Sequence, residues 1–303
     1  MHRAILLVAP CLAAGAASAR PDLYNNGPFI TAAGIGAGGA SVCQLQTHLG
    51  MSSYGFLHQR IPANSRLADD FAVPAGGWTL TSVVFYSFQS NAGTPASTFT
   101  DLNLRIWSGR PGLAGSSVIW GDTTTNRLAS STWTGSYRVP FETPTSVQRP
   151  IYENVAVIDP PLELLPGVYW LDWQESGTLS SGPWAIPVTF LGQTGPAGAN
   201  SVYLLPPNTN WLVTRDSSTT AAQEMAFIIR GTVGGGGAPA CYANCDQSTA
   251  VPFLNINDFI CFQQRFAAGD SRANCDASSQ VPTLNINDFI CFQQRFAAGC
   301  SAP

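Results

Sequence analysis

The densest group of chemically capable residues lies in the last 63 positions, 241–303. Asp246-x-Ser248 is followed by Asn255-x-x-Asp258. Thirty residues later Asp276-x-Ser278 is followed by Asn285-x-x-Asp288. Oxygen ligands at the start of a loop and again at the start of a helix suit a hard cation, and calcium is the expected one. Asp246 and Asp276 would hold it from one side and Asp258 and Asp288 from the other. Ser248, Ser278, Asn255, Asn285, carbonyls and water would complete the shell. A second reading stands beside this one. Asp258 and Asp288 can simply cap helices and favour the N-terminal dipole, whereas Asp246 and Asp276 have no capping role. The same stretch holds Cys241, Cys245, Cys261, Cys275, Cys291 and Cys300 but no His. That composition favours a disulfide framework over a zinc site.

These residues need elements to position them, and the sequence supplies one element twice. Cys245 to Gly269 and Cys275 to Gly299 agree at 21 of 25 positions, the mark of one supersecondary unit used twice. Each unit reads as a loop followed by a helix. Asn255 and Asp258 form a capping-box-like start and Gly269 a stop. Ile256, Phe259, Ile260, Phe262 and Phe266 have the spacing of a helix face, and the second unit repeats the pattern. Two short helices bury little alone, so they must pack together and be stapled. Symmetry suggests Cys245–Cys261 and Cys275–Cys291, with Cys241–Cys300 closing the ends. Six cysteines allow about 15 connectivities, so symmetry alone carries that choice.

Two loop-helix units, each with an opening Asp and a closing Leu-Asn-x-x-Asp-Phe, resemble a type I dockerin, and the cysteines resemble its GC-type form. That resemblance implies a calcium-binding, EF-hand-like module that attaches an exported protein to a cohesin-like partner or a cell-surface component. It also implies that partner contacts come from the start and exposed side of each helix. Those positions are Ile256, Asn257, Gln263 and Gln264, with Ile286, Asn287, Gln293 and Gln294 as the symmetric set. Near-identity of the halves would allow docking in two orientations. The loop departs from the family pattern. Asp246-Gln-Ser-Thr-Ala-Val-Pro lacks the third carboxylate and the Gly of the usual Asp-x-Asn-x-Asp-Gly. Weaker calcium affinity, or replacement of the metal by disulfides, would follow.

Upstream, Gly231 to Ala240 contains four consecutive Gly and reads as a flexible linker over 231–240. Residues 1–19 read as a signal peptide, with Arg3, an apolar run and an Ala17-Ser18-Ala19 cleavage site. Residues 20–230 read as strands at 67–73, 79–88, 102–107, 152–158, 167–175 and 226–230. The expected fold is therefore mainly β, an antiparallel jelly-roll-like sandwich, followed by the small α-helical module at 241–303. The sandwich resembles, loosely, secreted β-domains of undefined function that accompany such C-terminal anchors.

Charged residues make up only 11% of the chain, all 14 basic residues are Arg, and the net charge is −4. That balance offers no footprint for nucleic acid and no basic face for a membrane, and no apolar run after the signal is long enough to span one. A non-catalytic, exported binding or structural protein is the expectation. Two alternatives are a glycoside hydrolase, needing two carboxylates in a cleft, and a polysaccharide binder using some of the eight Trp. Asp172 and Glu175 are a poor catalytic pair, because an odd separation along a strand points them to opposite faces. Cys43 stands alone.

Overall fold

The structure is a computed structural model that describes residues 21–233, 241–248, 252–276, 278 and 281–300. The expected signal peptide and positions 234–240 of the expected linker lie outside the described residues.

Alternating aromatic and β-branched residues, punctuated by Gly, Pro and Asn, produce strands throughout the first part. In chain order they are β1 (Asp22–Asn25), β2 (Ser41–Leu45), β3 (Phe56–Leu57), β4 (Arg66–Val73), β5 (Trp78–Phe88), β6 (Phe99–Trp107) and β7 (Val118–Gly121). There follow β8 (Leu128–Pro140), β9 (Pro150–Leu164), β10 (Gly167–Gly177), β11 (Trp184–Ala185), β12 (Val202–Leu204), β13 (Leu212–Val213) and β14 (Phe227–Val233). One sheet runs β1-β14-β5-β9-β8-β2, with β11 beside β5 and β3 beside β11. The other runs β13-β12-β4-β10-β6-β7. Pairing is antiparallel except between β2 and β8.

The arrangement is that of a β-sandwich. One buried cluster draws Leu80, Val83, Phe85, Ala156, Phe227 and Ile229 from the first sheet and Leu67, Phe71, Leu104, Leu171 and Trp173 from the second. Trp173 stacks on Phe85 with centroids 4.6 Å apart, joining the two layers; truncating such an aromatic costs about 3–5 kcal/mol. Period two carries the partition. Along β10, Leu171, Trp173 and Glu175 point inward, and Asp172 points to the outer side. Glu175 meets His58 at 2.9 Å and Asn154 at 3.0 Å in the interior. Asp172, fully buried, is ion-paired with Arg66 and with Arg105. The opposite orientation expected for these two acids is therefore what the sheet produces.

β14 runs on to Val233, three residues into the stretch read as linker. Gly231, Thr232 and Val233 pair with Leu80, Thr79 and Trp78. Gly231 is required there, because a Cβ would lie 2.0 Å from the Thr79 carbonyl oxygen.

In the tail, α1 (Ile256–Ala267) and α2 (Ile286–Ala298) form where the capping signals place them. Phe262 and Phe292, both buried, stack at 4.3 Å and 15°. Phe289 meets Phe262 edge-on at 5.1 Å, and Phe259 meets Phe292 edge-on at 5.6 Å. The same residue types face each other from the two units.

Candidate functional site

The tail begins as local chemistry. Asn255 accepts a hydrogen bond from the Asn257 N–H at 2.8 Å, and Asp258 Oδ2 accepts from the Asn255 N–H at 2.8 Å. Asn285, Asn287 and Asp288 repeat this at the same distances. Both capping boxes are complete. Each helix-start carboxylate then reaches across its loop. Asp258 Oδ1 accepts from the Asp246 N–H at 3.3 Å, and Asp288 Oδ1 from the N–H groups of Cys275 at 2.8 Å and Asp276 at 3.4 Å. Asp258 and Asp288 are fully buried and tie loop start to helix start.

Asp246 and Asp276 are exposed. Their Oδ1 atoms accept from the Ser248 and Ser278 N–H groups at 2.8 and 2.9 Å, turns of the Asx kind. Loss of hydration pushes the Asp258 carboxyl up, and the Asp246 carboxylate beside it pushes in the same direction. Two neighbouring carboxylates are the donor type a hard cation takes, while both oxygens of Asp258 also accept backbone N–H groups, as the capping reading requires. The structure thus brings the first and last expected ligands of unit one together. It uses Asn255 and Asn285 as helix caps. Asn244 and Asn274 escaped the sequence reading, yet their side-chain amides donate to the Ser248 and Ser278 carbonyls at 3.1 and 2.9 Å. The signal was available, since Ala-Asn precedes Cys in both units and extends the repeat.

Three disulfides hold the module: Cys245–Cys261, Cys275–Cys291 and Cys241–Cys300, with Cα atoms 5.7, 5.8 and 5.5 Å apart. This is the symmetric pairing. The helix faces divide more finely than apolar spacing implied. Phe259, Phe262 and Phe266 pack inward, while Ile256 and Ile260 are 69% and 45% exposed, and Ile286 and Ile290 69% and 46%. Asn257, Gln263, Gln264, Asn287, Gln293 and Gln294 are exposed as well. Each helix therefore presents one uncharged stripe carrying two large aliphatic side chains, and the two stripes have the same sequence.

No family model, no curated protein and no solved structure matches the chain.

The sandwich has chemistry of its own. Oxygens of Asp69, Asp70 and Glu224 lie within 4.8 Å of one another. Asp69 is fully buried; its Oδ2 accepts from the Met225 N–H at 2.7 Å and from Asn26 at 3.2 Å. Asn26 also donates to Glu224 Oε1 at 3.2 Å. Burial raises the pKa of Asp69, with the Glu224 charge adding to it, and burial raises that of Glu224. Such a pair holds a proton into a pH range where free carboxyls have lost theirs. Cys43 is a buried free thiol, 3.0 Å from a nitrogen of Arg138. Of the eight Trp, Trp78, Trp170 and Trp173 are buried and the other five half-buried, so no row of fully exposed Trp is formed.

Proposed function

We propose that this is an exported, non-catalytic, two-part protein in which the tail is a dockerin-like docking module and the sandwich is the unit it attaches. The observation that carries this reading is the duplicated stripe of Ile256, Asn257, Ile260, Gln263 and Gln264, mirrored by Ile286, Asn287, Ile290, Gln293 and Gln294. Isoleucines exposed to this degree, twice, on a module with a small core, suit a partner that covers them. The partner is a folded, cohesin-like protein with an apolar, uncharged binding face, because each stripe between its first Ile and last Gln offers no exposed charge. Two equal stripes support docking in either of two orientations.

Calcium is the proposed cofactor. Asp246 with Asp258, and Asp276 with Asp288, would hold one ion in each unit. When bound, the ion supplies positive charge that offsets the repulsion between paired carboxylates. The reduced set of acids supports a weak site of the extracellular kind, on the order of 10⁻⁴–10⁻³ M. Export is supported by the three disulfides and by the signal-like first 19 residues. We read the sandwich as jelly-roll-like, supported by the way successive strands β4, β5 and β6, then β9 and β10, alternate between the two sheets.

The test uses the full chain. Protein immobilised on beads is exposed to envelope fractions of the producing cell, with calcium or with chelator, and the retained protein is identified. The expected result is one dominant partner, retained with calcium and lost from the Ile256→Asp/Ile286→Asp double variant. Equal retention by that double variant would overturn the reading.

A further inference from the structure

The outer face of the first sheet carries two adjoining hollows, of about 390 and 360 Å³. Strand register explains why they adjoin. On β5 and β9, Tyr86 lies opposite Glu153, Val84 opposite Val155 and Ser82 opposite Val157. Glu153 belongs to one hollow and Val155, two residues on along the same face, to the other. Arg230, opposite Ser82 on β14, reaches from the second hollow towards Glu153 at 3.7 Å. From Tyr86 to Ser82 the face extends about 14 Å along the strand.

The lining mixes two kinds of surface. Phe29 and Tyr86 form an aromatic wall, with centroids 4.5 Å apart. Beside it stand polar groups that the fold leaves unspent. The Tyr86 phenol, the Thr132 hydroxyl and the Ser82 hydroxyl make no hydrogen bond with any described residue. Glu153 uses one oxygen on Arg230 and leaves the other uncommitted. Arg230 stands between two acids, donating to Asp22 at 3.0 Å as well as facing Glu153, and Asp159 lines the second hollow, so an anionic ligand is disfavoured here. The aromatic wall and the free hydroxyls suit an elongated, uncharged ligand. It must carry apolar C–H faces for the aromatic wall and many hydroxyls for the acceptors and donors around it.

We propose that this face binds a neutral polysaccharide chain, lying along β5 and β9 with Tyr86 under one sugar ring and Glu153 and Arg230 bonded to hydroxyls of the next. The proposal is independent of the docking reading, because none of these residues belongs to the tail.

The test is calorimetric titration of the full-length protein with cellohexaose, xylohexaose, mannohexaose, chitohexaose and maltohexaose, with polygalacturonate as an acidic comparator. At least one neutral hexasaccharide should bind, with an affinity unchanged by added salt. Tyr86→Ala should weaken that binding at least tenfold. Glu153→Gln, which keeps side-chain volume and so protects against loss of fold, should weaken it severalfold without moving the melting temperature. Ile256→Asp in the tail should leave it unchanged. The proposal is overturned if no neutral hexasaccharide binds, if Glu153→Gln protein binds as tightly as wild type, or if polygalacturonate alone binds in a salt-sensitive way.

Discussion

Reduction should unfold the tail and leave the sandwich standing. In the chain-entropy account, bridges spanning 16 residues contribute about 3 kcal/mol each, and one spanning 59 residues about 4 kcal/mol. The two inner bridges shorten the outer loop, so the three together contribute somewhat under about 10 kcal/mol. Against this stands a core whose buried members are Cys245, Phe262, Ala273, Cys275 and Phe292. A module of about 60 residues with one such core gains only about 3–5 kcal/mol net. Removing the bridges therefore exceeds what the core supplies. The sandwich has no disulfide among its described residues, and its one described cysteine, Cys43, is free. Differential scanning calorimetry of the oxidised full chain should show two transitions. With dithiothreitol the tail transition should vanish, trypsin should cut at Arg265 and Arg295, and the sandwich transition should stay within a degree or so. A tail that melts at the same temperature with and without reductant would refute the reasoning.

Other outcomes follow from single groups. Asp69 and Glu224 have raised carboxyl pKa values in the folded state. Their stabilising contribution is therefore complete below about pH 4, where the unfolded chain is also protonated, and is lost as pH rises through the raised values. Glu224→Gln should make the sandwich more stable at pH 8 and flatten its pH dependence, as read by urea titration at pH 5 and pH 8. Asp288→Ala strips two acceptor oxygens from the N–H groups of Asn285, Cys275 and Asp276; the tail should lose about 2 kcal/mol in calorimetry, more than Asn287→Ala loses. Calcium at millimolar concentration should raise the tail transition of the wild type and leave an Asp246→Ala/Asp276→Ala variant unmoved.

What the sequence made legible was local or repeated. The capping boxes at Asn255 and Asn285 need only residues three apart, and the disulfides followed from a period of thirty. Strands β4, β5 and β10 showed because each alternates inward and outward over seven or more residues. The parallel pairing of β2 with β8 left no such trace, since it joins segments about a hundred residues apart. The division within each helix was hidden for a different reason. Ile256 and Phe259 both count as apolar, and only the interlocking of Phe262 with Phe292 shows which face is core. The acidic cluster was least legible of all. Asn26, Asp69 and Glu224 come together through contacts 43 and 198 residues apart in sequence, and no local pattern marks them. Asn244 was visible as a repeated letter, but its bond to the Ser248 carbonyl needs the loop to be closed first.

In the proposed docking mode the two helices carry the same face twice. The most direct measurement is the affinity of the captured partner for four full-length proteins: wild type, Ile256→Asp, Ile286→Asp and the double variant. Two equivalent orientations predict that each single variant binds within about a factor of two of wild type and that the double variant does not bind. Loss of binding in one single variant alone would contradict equivalence, and full binding by the double variant would contradict docking through these faces.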